Sequence, residues 1–384
     1  MRKICFVTGS RADYSPLYPL MKLASGSKKI KFQLIATCMH LSHKFGNTYK
    51  EIENDGFKID IKVRVPLNSD KPEKITEATG KAMIGIAKAY KKLKPDIVVI
   101  LGDRFEILSA AFAALSAKIP IAHIHGGEKT IGAIDESIRH AVTKMSAFHF
   151  VSTDKYKKRV IQLGENRSKI FSVGALSIET IKKMKFISKK DIEKKLDFKF
   201  DKKNFIITHH PVTLDKGPQY KEIDAILSAL KKQRNTKKIF TMANADSGNY
   251  LINQKIKKFC KNSNNNAVFF KSLGQRMYFS VVKNTNLVLG NSSSGIIEVP
   301  SLKIPCIDIG DRQGGRIRNK GIITCLPNER AISIAIKRGL SKNFIKNLSF
   351  NKNPYEKKGT SKNILNILIK SNLKNILKKK FCDL

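Results

Sequence analysis

Seven short stretches of this 384-residue chain concentrate side chains that can bind anions or move protons. The first is Thr8-Gly9-Ser10-Arg11-Ala12-Asp13-Tyr14-Ser15, a glycine turn between an apolar run and a helix pattern. Such a turn offers backbone N–H groups and a partial positive charge to a phosphate. Arg11 adds a planar cationic fork, although the same residues also make an ordinary turn with Asp13 or Ser15 as N-cap. The stretch is neither G-x-G-x-x-G nor a P-loop, which argues against NAD and ATP as ligands. The second is Gly102-Asp103-Arg104-Phe105-Glu106. Here Asp103 can act as acid or base and Gly102 lets a ligand approach; alternatively the stretch is a helix cap with an Asp103–Arg104 pair.

The third stretch, His123-Ile124-His125-Gly126-Gly127-Glu128, has two His flanking an Ile. Strand alternation would point both imidazoles to one side. Substrate hydrogen bonding, a metal site completed by Glu128 and buried hydrogen-bonded His all fit this spacing. The fourth places Asp135 and Glu136 at a helix start, with Arg139 and His140 three to five residues on, near the same helical face. These carboxylates either favour the helix dipole or face a site as acid or base. The fifth is Thr208-His209-His210-Pro211-Val212-Thr213, in which Pro211 forces His210 into an extended conformation. The sixth, Gly290-Asn291-Ser292-Ser293-Ser294-Gly295, reads as an anion cradle ahead of a helix. Glu298 follows it, and a carboxylate can accept both hydroxyls of a ribose diol. The seventh, Gly310-Asp311-Arg312-Gln313-Gly314-Gly315-Arg316, presents two Arg suited to a diphosphate or a nucleobase edge.

The elements that must position these residues alternate along the chain. Apolar runs at 4–8, 32–37, 97–101, 119–124, 148–152 and 170–173 predict strands. Helix patterns lie between them, notably at 75–93 and 105–117, with a first helix beginning near residues 15–16. The pattern restarts with strands at 205–208, 238–242, 267–270, 287–289 and 305–309, the last of the series, and helices at 220–231, 250–261 and 295–300. Residues 361–380 alternate Ile/Leu with Lys/Asn at helical spacing, predicting an amphipathic helix packed back on the body. The fold class is α/β: two Rossmann-like domains facing a cleft, each with a parallel sheet. The expected divisions are 1–175 and 176–355 for the two domains and 356–384 for the tail helix. Every polar stretch above falls at a strand's C-terminal end, where open α/β sheets bind ligands.

Bulk properties narrow the function. The chain is 41% hydrophobic and 27% charged, as a globular protein should be. The net charge of +42 first suggests nucleic acid, but the Lys residues are spread along the whole chain on solvated helix faces, without aromatic interleaving. Nucleic acid is therefore not an expected partner, although the field could help gather a diphosphate. None of the six Cys forms a Cys-x-x-Cys pair, and Cys5 and Cys306 read as buried thiols. The start of the chain reads as a strand instead of a signal peptide, and no apolar run approaches the ~18 residues of a membrane span. A cytoplasmic protein without membrane contact is expected, acting as a homo-oligomer, dimer or tetramer.

Taken in order, these stretches resemble the UDP-N-acetylglucosamine 2-epimerases, specifically the hydrolysing branch of sialic- and legionaminic-acid-type biosynthesis. The resemblance spans essentially the whole chain. Its carriers are TGSRADY at 8–14, GDRFE at 102–106, HIHGGE at 123–128, DESIRHAVTKMSAFHF at 135–150, THHPVT at 208–213, GNSSSGIIEVP at 290–300 and GDRQGGR at 310–316. It implies a GT-B-like fold and no metal or redox cofactor. It further implies that Ser292, Ser293, Glu298 and Arg312 hold UDP while Arg11 and Gly102 reach the phosphates or sugar. Asp103, His125, Glu128, Asp135, Glu136 and His210 would surround the sugar as catalytic groups. Ser15, Arg104, Arg139 and Arg316 complete the expected substrate-binding set.

The implied reaction converts UDP-N-acetylglucosamine and water to N-acetylmannosamine and UDP by elimination and then hydration. The chain carries His125 where some hydrolysing members, including the animal bifunctional enzyme, have Glu. That departure keeps open the same reaction on UDP- or GDP-linked N,N'-diacetylbacillosamine. The animal enzyme's kinase half has no counterpart, so no ATP-dependent activity is expected. A GT-B glycosyltransferase is the rival of another class, and the carboxylate-rich first half argues against it.

Overall fold

The computed structural model describes residues 1–214, 220–243, 246, 248–264, 266–348 and 350–383. The chain divides into two compact units. The first comprises Met1–Glu128, Ile134–Lys182 and the stretch from Tyr355 onward; the second comprises Lys129–Ala133 and Lys183–Pro354.

The first unit is built on seven parallel strands: β1 (Arg2–Thr8), β2 (Ile30–Thr37), β3 (Ile61–Val63), β4 (Ile97–Leu101), β5 (Ile121–Ile124), β6 (Phe148–Val151) and β7 (Ile170–Ser172). Their order across the sheet is β3-β2-β1-β4-β5-β6-β7. The second unit has β8 (Lys203–Thr208), β9 (Thr236–Thr241), β10 (Ala267–Phe270), β11 (Leu287–Gly290), β12 (Cys306–Ile309) and β13 (Ile322–Cys325), in the order β10-β9-β8-β11-β12-β13. Each order reverses once, between β1 and β4 and between β8 and β11. A reversal of this kind opens a crevice beyond the strand ends where Rossmann-type sheets take ligands.

The strands form where β-branched and aromatic residues run without interruption. The central strand β4, Ile-Val-Val-Ile-Leu, is buried at all five positions, as a parallel strand covered on both faces must be. In the second unit, Phe205 and Ile207 pack with Ile223, Ile226 and Leu230 of the helix Tyr220–Lys231. Ile206, between them in sequence, packs with Val281 and Val282 on the opposite face. In the first unit, the helix Arg11–Ser25 buries Leu17, Leu20 and Met21 in one core with Ile4, Phe6 and Val99. The helix Thr360–Lys370 joins that core through Ile364, Leu365 and Leu368. None of the helices among the described residues is long and apolar enough to cross a membrane.

Several elements depart from the sequence pattern. The first helix begins at Arg11, ahead of the expected start, and runs through Pro16 and Pro19. Asp13 sets that start by accepting from the backbone N–H of Gly9 (2.9 Å) and of Ser10 (2.8 Å), so Ser10 is the N-cap and Ser15 is not. The strands β3 and β13 escape the pattern because they are only three and four residues long at sheet edges. The helix expected at 295–300 is a five-residue helix, Ser293–Ile297, followed by a 3-10 turn. The tail helix stops at Lys370, and residues 371–383 continue as turns.

Candidate functional site

The reversal point of the first sheet is lined by the first two stretches. Gly102 leaves β4 with φ +90°, a conformation glycine takes at no steric cost. Its carbonyl accepts from Nε2 of His123 at 2.7 Å, and its N–H donates to the Ile124 carbonyl at 3.1 Å. A carbonyl can only accept, so the His123 proton resides on Nε2. Burial pushes His123 down to about 3, which keeps the ring neutral. On the β1 side, burial raises the Asp13 carboxyl to about 6, with Glu106 adding to the shift. Arg11 and Ser15, on the first helix, are partly exposed. Arg104 is buried and spends its Nε on the fully buried Glu106 at 2.8 Å.

Arg139 ties the carboxylates together. Its guanidinium, 1% exposed, pairs with Asp103 from the β4 loop and with Glu136 Oε2 from its own helix at 2.9 Å. It also donates to the Glu128 carbonyl from the β5 loop at 2.9 Å. The planar fork suits it to holding several acceptors at fixed angles. The other oxygen of Glu136 faces His140 Nε2 at 3.1 Å. Asp135, first residue of the helix Asp135–Met145, is buried beside these groups in sequence.

His125 departs from the expected strand geometry. The strand β5 ends at Ile124, and His125 takes φ +69°, a left-handed conformation costing a non-glycine residue about 1–2 kcal/mol. Alternation therefore breaks, and each imidazole gains its own partners. His123 contacts Gly102 and Thr143, whereas His125 sets Nδ1 against Glu128 Oε1 at 3.2 Å. Ser152, at the end of β6, donates to the same Glu128 oxygen at 2.9 Å. The Nε2 of His125 is buried without a hydrogen-bond partner. No group of three His, Cys, Asp or Glu among the described residues could hold a metal ion.

The second sheet repeats the arrangement. Gly290 pairs with Thr208 in register, and a Cβ there would lie 1.9 Å from the Thr208 carbonyl oxygen. Its φ of +130° is likewise one that L side chains rarely adopt. The adjacent Asn291 accepts from the His210 N–H at 2.7 Å and donates to the His210 carbonyl at 2.8 Å. This locks the β8 loop to the β11 loop and fixes the backbone of the buried His210. Ser292 is the N-cap of the short helix; Ser292 and Ser293 are half-buried, and Glu298 is buried at its end. From the seventh stretch, Arg312 Nη1 donates to the Asn291 carbonyl at 3.2 Å, while its buried Nε has no partner. Gln313 reaches the same carbonyl at 2.8 Å, and Arg316 is buried close by in sequence. The segment Lys129–Ala133 packs on this loop, with Ile131 N–H donating to the Gly314 carbonyl. Tyr278, pushed up to about 12 by burial, lines a small cavity with Thr208, Ser292 and Asp308.

The expected site residues thus fall into two groups. Asp103, His125, Glu128, Asp135, Glu136 and Arg139 gather around the strand ends of the first unit. His210, Ser292, Ser293, Glu298, Arg312 and Arg316 lie at the strand ends of the second. Ser152, Asn291, Gln313 and Tyr278 belong to these neighbourhoods without having been singled out as site residues. For Ser152 and Asn291 the available signal was a hydroxyl or amide at a strand end.

Comparison with known proteins bears on what this arrangement does. The sequence model of a family described as UDP-N-acetylglucosamine 2-epimerase matches residues 23–369. GDP/UDP-N,N'-diacetylbacillosamine 2-epimerase (hydrolyzing) from Campylobacter jejuni subsp. jejuni serotype O:2 is 44% identical over 384 residues, covering 100% of this chain and 99% of the relative. Polysialic acid biosynthesis protein P7 from Escherichia coli is 38% identical over 369 residues, covering 96% and 94%. Among solved structures, UDP-GlcNAc 2-epimerase from Neisseria meningitidis bound to UDP-GlcNAc superposes with a TM-score of 0.81 at 20% identity, covering 96% of this chain and 100% of that one. At that identity the likeness establishes the fold, two Rossmann-like units of the GT-B-like class.

Proposed function

The chain belongs to the UDP-N-acetylglucosamine 2-epimerase family and is a hydrolysing nucleotide-sugar 2-epimerase; from that premise we propose that its substrate is N,N'-diacetylbacillosamine linked to UDP or GDP. The full-length similarity to the Campylobacter enzyme carries this choice of sugar. It displaces UDP-N-acetylglucosamine, the first expectation from sequence, to second place. The presence of His125 in this chain agrees with the alternative raised there.

The chemistry follows from the two groups of side chains. Epimerisation by elimination and hydration needs a base for the C2 proton, stabilisation of the departing diphosphate, and a proton donor for C2 on the opposite face. His125 supplies the base: Glu128 orients its Nδ1 side, leaving Nε2 with no protein partner. A carboxylate that orients an imidazole in this way also stabilises its protonated form. As the C2–H bond breaks, the C1–oxygen bond breaks with it, a C1=C2 double bond forms, and the nucleoside diphosphate leaves with the electron pair. Asp103 or Glu136, in its acid form, then gives a proton to C2 on the other face while water adds its oxygen to C1; the proton water gives up restores that acid, and the proton held by His125 passes to solvent. Arg139, buried and already committed to both carboxylates, acts as their positioning residue.

The nucleotide is assigned to the second unit. The helix Ser293–Ile297 is too short to contribute much of a dipole, so hydroxyls and guanidinium groups do the binding. Ser292, Ser293, Arg312 and Arg316 take the diphosphate and Glu298 the ribose, while His210 is presented to the sugar by Asn291. Arg11, Ser15 and Gly102 extend the anion and sugar contacts on the first unit.

The test compares kcat/KM for GDP- and UDP-linked N,N'-diacetylbacillosamine and for UDP-N-acetylglucosamine, measured as nucleoside diphosphate release. One of the diacetamido sugars should exceed UDP-N-acetylglucosamine at least tenfold. The reverse preference overturns the choice of sugar, and no release from any of the three overturns the function.

A further inference from the structure

We propose that Lys379, in the irregular tail after the last helix, is a positioning residue that anchors the far end of the catalytic helix. The helix Asp135–Met145 carries Glu136 and Arg139 in its first turns, and its last carbonyls lack intrahelical donors. Ser146 satisfies two of them, its N–H reaching Thr143 and its hydroxyl reaching Val142. Lys379 Nζ takes the Lys144 carbonyl at 2.8 Å and the carbonyl of the C-cap residue Ser146 at 2.7 Å. Its third proton goes to Glu165 Oε2 at 2.6 Å, so all three donors of the ammonium are used. A cation at a helix C-terminus is also favoured by the helix dipole.

The tail is fixed at this point by more than one contact. The Cys382 N–H donates to the Gly164 carbonyl at 3.0 Å. The Phe381 ring packs so closely on Gly164 that a Cβ there would fall 2.4 Å from it. The Lys144 ammonium sits 4.8 Å from the centre of the same ring.

Glu165 gives Lys379 a second connection to the site. Its carboxylate, 2% exposed, also binds Lys144 at 2.7 Å and His149 Nε2 at 3.0 Å. Burial alone would raise this carboxyl, but hydrogen bonds from His149, Lys144 and Lys379 hold it down at about 2. His149 is the register partner of His123, whose Nε2 holds the Gly102 carbonyl beside Asp103. Lys379 therefore braces the helix bearing Glu136 at its far end and completes the charge set behind the strand bearing His123. Removing it exposes two carbonyls at the helix end and leaves Glu165 with one lysine fewer, loosening the helix on which both proton-handling sets converge.

The activity part of this inference rests on the epimerase reading; the structural part does not. The experiment is amide hydrogen exchange over residues 135–146 in full-length Lys379→Met, with turnover and UDP affinity measured alongside. Exchange in that segment should accelerate about tenfold or more, with little change in the second unit. On the diacetamido substrate, kcat should fall several-fold to tenfold while KM and UDP affinity hold. Lys379→Arg should recover both kcat and protection in part, since it restores a cation at the helix end. If Lys379→Met does not fold, Phe381→Ala, which loosens the tail and keeps the lysine, should give a weaker version of the same local effect. Unchanged exchange over 135–146 overturns the proposal, as does uniform acceleration throughout the first unit, which would make the tail a general staple. Absence of turnover by wild-type protein counts against the epimerase reading alone, because the exchange measurement still decides the role of Lys379.

Discussion

Replacing Arg139 by Met removes the group that ties the β4 and β5 loops to the helix Asp135–Met145, and the structure sets the size of the effect. The guanidinium is 1% exposed and pairs with two carboxylates whose side chains remain 19% and 23% exposed. Removing one partner of a buried ion pair costs about 3–5 kcal/mol. Because Asp103 and Glu136 each keep a solvent-facing fraction and can rehydrate, the loss falls near or just below the low end of that range, at roughly 2–3 kcal/mol. In a unit of about 200 residues this lowers Tm by roughly 5–10 °C. Turnover should suffer more than stability. Both carboxylates lose their fixed orientation together, and a positioned acid or base contributes about a hundred- to ten-thousandfold. Arg139→Lys should fall between the two, since a point cation cannot reach Asp103, Glu136 and the Glu128 carbonyl at once. Thermal unfolding and nucleotide release on one preparation measure both effects. A variant with normal kcat and Tm would refute the positioning argument, and one that loses UDP affinity with kcat intact would make Arg139 a substrate ligand.

Three further outcomes follow from individual contacts. His125→Gln keeps bulk and hydrogen bonding but no titratable nitrogen, so kcat should drop about a hundredfold or more while UDP still binds; a near-normal kcat would assign the C2 proton to another group. Glu298→Ala should weaken UDP binding by about 1–3 kcal/mol in calorimetry without unfolding the protein, and an unchanged affinity would remove its ribose role. His123, neutral in the fold at about 3 against an ordinary 6.5, binds its proton in the unfolded chain first. Its stabilising contribution is therefore complete above pH 6.5 and is lost as pH falls toward 3, amounting to about 2 kcal/mol by pH 5. His123→Asn should flatten denaturant-measured stability between pH 6.5 and 5, and an unaltered slope would contradict the buried neutral assignment.

The legible parts of this protein are those governed by local rules. The strand β4 could be read to the residue because Ile-Val-Val-Ile-Leu is apolar on both faces, and the restart near 205 marked the second sheet. Six of the seven polar stretches stood out because each sits at the end of a strand, and the fourth because it opens a helix. What the sequence hid depends on distant partners. The left-handed turn at His125 interrupts an alternation that Ile121–Ile124 had established, and only the fold shows Glu128 and Ser152 turning toward one another. The start of the first helix depended on Asp13 reaching back to Gly9 and Ser10, a contact that outweighs the signal of Pro16. Nothing local to Arg139 reveals that it pairs with Asp103, thirty-six residues earlier. Lys379 is one of four Lys within residues 374–380, and its partner Glu165 lies more than two hundred residues away in sequence.

The central claim is that C2 loses and regains a proton while the nucleotide is cleaved off. Wild-type protein incubated with UDP-N,N'-diacetylbacillosamine, and separately with its GDP-linked form, in deuterated water tests this in one NMR experiment. The expected product is the free sugar, inverted at C2 and carrying deuterium there, with nucleoside diphosphate released in equal amount. A product still joined to its nucleotide, or a free sugar with protium at C2, would contradict the account.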